Sequence, residues 1–110
     1  MRKAILNSLV RFDHSIADLR AAIQSLAWDA EPEVVLLRQD VVSALQRFAR
    51  SELCAQEIED WANLIECRED IEFEPGYEQE LADVIFCLAN PELQGSLQMI
   101  APALMSRLTD

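Results

Sequence analysis

The sequence holds a single histidine, His14, and only two glycines, Gly76 and Gly95, in 110 residues. Its three cysteines, Cys54, Cys67 and Cys87, are odd in number, widely spaced and free of any CxxC pair. No apolar run approaches the roughly 20 residues that a membrane helix needs. With one histidine, far in sequence from every thiol, there is no zinc-ligand set. A Ser–His–acid or Cys–His arrangement would have to use His14, and no strained nucleophile turn lies near it. The cysteines read as reduced, partly buried thiols rather than a disulfide framework. The start, Met1-Arg2-Lys3-Ala4-Ile5-Leu6, looks superficially like a signal peptide, but Asn7, Arg11, Asp13 and His14 interrupt any apolar h-region. The expectation is a cytoplasmic protein that is not an enzyme, with no catalytic residues, cofactor or metal.

Positive charge is also in short supply. The formal net charge is −11. A surface of that sign cannot neutralise phosphates, which excludes direct nucleic-acid binding. Anionic membranes are disfavoured for the same reason. Apolar residues make up 51% of the chain, which argues against intrinsic disorder, and the length suits one domain with one core.

The negative charge is concentrated. Between Glu57 and Asp83 stand eleven acids against Arg68 alone, a local charge of −10. Residues 1–56 carry seven acids and seven bases and balance to zero. Charge runs often serve only solubility. Here the acids are almost unmixed with bases, and gathering them on one surface costs stability through repulsion. Their retention points to a cationic partner.

Apolar residues recur at helical spacing almost throughout. Ile5, Leu9, Phe12, Ile16, Leu19, Ile23 and Leu26 form a heptad-like seam with no Pro or Gly in it. It reads as one helix of about 25 residues, or as two helices broken near Asp13, where Asp13 and Ser15 could each cap a new start. The uninterrupted seam favours one helix. Trp28 to Glu33 is a connection, and Pro32 could open the next helix. Val34-Val35-Leu36-Leu37 could be mistaken for a strand, but no second strand signal pairs with it. A second helix follows through Leu37, Val41, Leu45 and Phe48 to about Arg50. A third runs from about Ala55 to Cys67, with Ile58, Trp61, Ala62 and Ile65 inward and Glu57, Glu59, Asp60, Asn63 and Glu66 on the outer arc. Trp61 shares the inward stripe and reads as core, its indole N–H needing an acceptor.

Arg68 to Gly76 reads as an acidic loop anchored by Ile71 and Phe73, with Arg68 stapling it to the third helix and Pro75-Gly76 closing it. The density of Glu69, Asp70, Glu72 and Glu74 resembles a calcium loop, but the spacing and turn glycine are wrong. No Glu-x-x-His pair supports a di-metal bundle site. A fourth helix spans about Tyr77 to Ala89, stopped by Asn90-Pro91. The last carries Leu97, Ile100, Ala101, Leu104, Met105 and Leu108, and Pro102 requires either a start near Ala101 or a bend there. The expected fold is all-α: a single-domain bundle, residues 1–110, of about five helices with short connections.

Three stretches, Glu57-Ile58-Glu59-Asp60-Trp61-Ala62-Asn63-Leu64-Ile65-Glu66, Arg68-Glu69-Asp70-Ile71 and Leu88-Ala89-Asn90-Pro91-Glu92-Leu93, carry a family likeness. The chain resembles the small helical bacterial immunity proteins of contact-dependent growth inhibition and other polymorphic-toxin systems. The likeness covers about residues 37–108, with Cys67 standing where such proteins commonly have Gly. It implies a cytoplasmic inhibitor that binds one cognate toxin domain in a 1:1 complex and blocks it. Such toxins are often nucleases with basic clefts, so an acidic bundle is the right complement. The contacts expected on this reading are Glu57, Glu59, Asp60, Asn63, Glu66, Glu69, Asp70, Glu72 and Glu74, and an RNase is the favoured toxin. The charge alone would equally suit an acidic adaptor or nucleic-acid mimic that occupies a DNA- or RNA-binding protein.

Overall fold

The apolar seam that begins at Ile5 is cut at Phe12. The computed structural model describes residues 2–24, 34–66, 71–90 and 97–109. In it the N-terminal segment forms two helices, α1 (Arg2–Arg11) and α2 (Ile16–Gln24). Phe12 between them takes a left-handed backbone, φ 54°. Its N–H donates to the Leu9 carbonyl at 3.1 Å, and that of Asp13 to the Ser8 carbonyl at 3.3 Å. This pair of bonds is a Schellman stop, a turn usually closed by glycine. Ser15 then caps α2, its Oγ accepting the Asp18 N–H at 3.2 Å. The expectation of one long helix is therefore wrong. The even seam survives the break because Phe12 is itself core, 1% exposed.

The Val34–Leu36 segment is a strand after all. This strand, β1, pairs in parallel with β2 (Ile71–Phe73), in the register Val34↔Ile71, Val35↔Glu72 and Leu36↔Phe73. The missing partner was the stretch read as a loop with two apolar anchors. Ile71-Glu72-Phe73 alternates apolar and acidic, and three residues are too few for that period to stand out. Between the strands lie α3 (Arg38–Ala49) and α4 (Ala55–Glu66), which supply the long crossover a parallel pair requires. Two further helices follow, α5 (Glu78–Ala89) and α6 (Leu97–Thr109). The fold is predominantly all-α, with six helices and one two-stranded sheet among the described residues.

All eight elements contribute to one cluster of buried apolar side chains. α4 packs chiefly on α5, α3 on α6, and α1 on α2 and β1. Trp61 lies at the centre, fully buried, as its place on the α4 stripe suggested. Its Nε1 donates to the Leu9 carbonyl at 2.6 Å, and its ring stacks on Phe12 at 5.4 Å between centroids. Arg47 of α3 completes the junction by donating to the Phe12 carbonyl at 2.6 Å. α3 ends as α1 does, at a residue with positive φ, Ser51 at 64°, the Ser51 and Glu52 N–H groups returning to the Phe48 and Arg47 carbonyls. α6 runs unbroken through Pro102, so the helix starts at Leu97 rather than near Ala101. Among the described residues no helix is long and apolar enough to cross a membrane.

Candidate functional site

Five of the nine expected contact residues stand on α4. The helix buries Ile58, Trp61, Ala62 and Ile65, so its polar residues must take the remaining arc. Glu57, Glu59 and Asp60 are half-buried, while Asn63 and Glu66 are exposed. Glu59, Asn63 and Glu66 follow one another at i, i+4 and i+7 and line one row of the helix. Local bonds order several of these groups. Glu57 Oε1 accepts the Cys54 N–H at 2.9 Å, fixing the entry into α4. Asp60 Oδ1 accepts from Gln56 Nε2 at 3.0 Å. Asn63 Nδ2 donates to the Glu59 carbonyl at 3.0 Å.

Glu72 lies in β2 and is exposed, as is its register partner Val35. Glu69 and Asp70 lie outside the described residues, as do Cys67, Arg68 and the connections at 25–33 and 91–96. Glu74 does not stand open for a partner. Its carboxylate accepts the Arg38 backbone N–H at 3.0 Å and the Arg38 Nε–H at 3.2 and 3.3 Å, and lies 3.1 Å from Nη2. The Arg38 guanidinium also covers the Tyr77 ring at 3.6 Å. This clasp follows from the sheet. The Glu74 N–H continues the ladder to the Leu36 carbonyl at 3.0 Å, and that places Glu74 beside the first turn of α3. The hydrogen bond from the Arg38 backbone, then that from its side chain, hold the Glu74 carboxyl below its ordinary pKa. The hydrogen bond to Glu74 in turn raises that of Arg38. Glu74 thus has a structural role, tying β2 to the first turn of α3.

Asp40 is the one buried charged residue in the described structure. Its Oδ2 accepts the Leu37 N–H at 2.9 Å, tying down the start of α3, and its Oδ1 lies 3.6 Å from Arg11 Nε. Burial raises its pKa, offset in part by the Leu37 N–H and by Arg11.

The arginines divide the acids into two sets. Asp40, Glu52, Glu74 and Asp83 pair with Arg11, Arg47, Arg38 and Arg107. Among the described residues no ion pair ties Glu57, Glu59, Asp60, Glu66 or Glu72. Glu78 and Glu80, at the start of α5, are exposed, and Glu80 lies close enough to Arg38 for its charge to act there. Among the described residues the acids of α4 therefore have no basic partner, while Glu74 and Glu80 act on Arg38. His14 sits between α1 and α2, its Nδ1 2.7 Å from Asp13 Oδ1, both side chains more than half exposed. Among the described residues no three His, Cys, Asp or Glu side chains gather as a metal site.

Sequence reasoning missed Arg38 and Asp40. A signal for Asp40 existed, since an acid three residues after Leu37 is a usual reciprocal partner for a helix-start N–H. None existed for Arg38, whose partner lies 36 residues away through an unrecognised strand pairing. No protein-family model, curated protein or solved structure matches this chain.

Proposed function

We propose that this protein is an immunity protein: a stoichiometric, non-catalytic inhibitor that acts in the cytoplasm on a cationic bacterial toxin domain, a nuclease and in the first instance an RNase. One observation carries the reading. Four arginines, Arg11, Arg38, Arg47 and Arg107, pair with acids outside α4, while Glu57, Glu59, Asp60 and Glu66 remain on that helix with no basic partner among the described residues. An acidic helix of this kind accelerates encounter with a basic cleft and then fixes register by charge matching. The resemblance of about residues 37–108 to immunity proteins points the same way. Glu59, Asp60, Asn63, Glu66 and Glu72 are the contacts assigned on this reading, with Glu57 at their edge.

The test is growth protection. Cells expressing the toxin domain encoded in the neighbouring reading frame should be rescued by this protein. The triple variant Glu59→Lys, Asp60→Lys, Glu66→Lys should keep its circular dichroism spectrum and fail to rescue. Full protection by the folded triple variant at physiological salt refutes the acidic-helix mechanism.

A further inference from the structure

Two hollows meet at the first turn of α4. The larger, a groove of about 760 Å³, lies between the α3–α4 connection and α6. Its apolar lining includes Phe48, Leu53, Leu97 and Ala101, and among the described residues its charged lining residues are Glu52 and Glu57. The smaller, about 220 Å³, is lined by Glu59, Cys87 and Ile100 among others. Ala55 and Leu97 line both, so the two lie side by side at the helix start. The larger volume falls within the roughly 300–1,000 Å³ of sites that engulf a ligand. One wall carries a further acceptor. Pro102 has no N–H, so the Gln98 carbonyl lacks its usual donor one turn on, and both residues line the groove.

Resting on the proposed function, we infer that this groove seats the anchor of the cationic partner: a large apolar side chain on the floor, with a Lys or Arg beside it reaching Glu57 or the Gln98 carbonyl. The lining selects this occupant. Carboxylates repel any phosphate-bearing ligand. A plain polyamine would leave the apolar floor unused. A second copy of this chain, at −11, brings like charge to like. An aromatic residue next to an arginine satisfies floor and rim together, and these residue types dominate the energetic centres of protein interfaces. Glu57 is already fixed by the Cys54 N–H, so its carboxylate meets the cation without further ordering.

The groove can be tested without the toxin. The ¹⁵N-labelled protein is titrated with the capped dipeptide Ac-Trp-Arg-NH₂ and, separately, with Ac-Trp-Glu-NH₂, following backbone amide signals. The arginine peptide should bind and shift the signals of Leu53, Glu57 and Ala101, and the glutamate peptide should not. Gln98→Trp, which fills the groove from an exposed position at unchanged charge, should weaken binding at least tenfold. Ala55→Trp serves as a second plug if the first variant melts early. Absence of shifts at those residues, equal binding of both peptides, or full binding by a folded plugged variant overturns the inference. Such a failure alongside intact growth protection leaves the acidic-helix reading standing. Loss of protection-dependence on the α4 acids, with the peptide still binding, removes that reading and not the groove chemistry.

Discussion

Replacing Ser51 by glycine should stabilise the fold, and replacing Phe12 by glycine should destabilise it, although both residues hold left-handed backbone. Ser51 has φ 64° and Phe12 φ 54°, and each closes a Schellman turn. An L-residue pays about 1–2 kcal/mol in this region, which glycine avoids. Glycine also loosens the unfolded chain, which costs roughly 0.4–1 kcal/mol. Ser51 is exposed and its hydroxyl bonds to no other side chain among the described residues, so Ser51→Gly should gain about 0.5 kcal/mol. Phe12 is 1% exposed, stacks on Trp61 and lies under Arg47. Deleting a buried Phe ring costs about 3–5 kcal/mol. Relief of strain offsets only part of that, leaving a loss of about 3 kcal/mol, a large share of the 5–15 kcal/mol that holds a typical domain together. Urea unfolding followed by circular dichroism measures both. Ser51→Ala is the control, because it removes the hydroxyl and keeps the strained Cβ. If Ser51→Gly unfolds no later than Ser51→Ala, backbone strain is not what limits that turn.

Two carboxylates should give stability differences of opposite sign that both fade in acid. The folded state lowers the pKa of Glu74, so its stabilisation is present above the ordinary carboxylate value of about 4 and is lost as pH falls through the lower folded value. Glu74→Gln should therefore lower the urea midpoint at pH 7 and have little effect near pH 2. The folded state raises the pKa of Asp40, so its contribution is present below the ordinary value and is lost as pH rises through the raised one. Asp40→Asn keeps an acceptor for the Leu37 N–H and should raise the midpoint at pH 7, with the gain shrinking as pH falls. A pH-independent effect in either variant contradicts the assignment.

The helices from α3 to α5 were legible because their apolar residues recur at helical spacing and local signals mark their ends. Asn90-Pro91 limits α5, and the stripe Ile58, Trp61, Ala62, Ile65 places α4 to within a residue. What stayed hidden depends on tertiary context. The Phe12 turn lacks the glycine that would announce it, and a phenylalanine holds the left-handed position because Trp61 and Arg47 reward its ring. The parallel strands are three residues each and joined through two helices, so neither length nor proximity reveals them. The acids were visible as charge, but their allotment was not. Glu74 and Glu72 are near neighbours in sequence, yet one lies against Arg38 and the other faces outwards, and only the strand register separates them.

Fold-level electrostatics explain Glu57 and leave Glu66 unexplained. Glu57 stands in the first turn of α4, where the helix dipole favours an acid and the Cys54 N–H donates to its carboxylate. Glu66 is the last residue of the same helix, where the dipole disfavours an acid, and no base stands in that turn. Placing a negative charge there costs roughly 0.3–1 kcal/mol at low ionic strength. On the proposed reading, contact with the toxin is what this acid serves. Glu66→Lys should consequently raise the thermal midpoint slightly at low salt while weakening toxin binding measured by calorimetry. If it lowers both, Glu66 belongs to the architecture of α4, and the contact surface begins elsewhere on the helix.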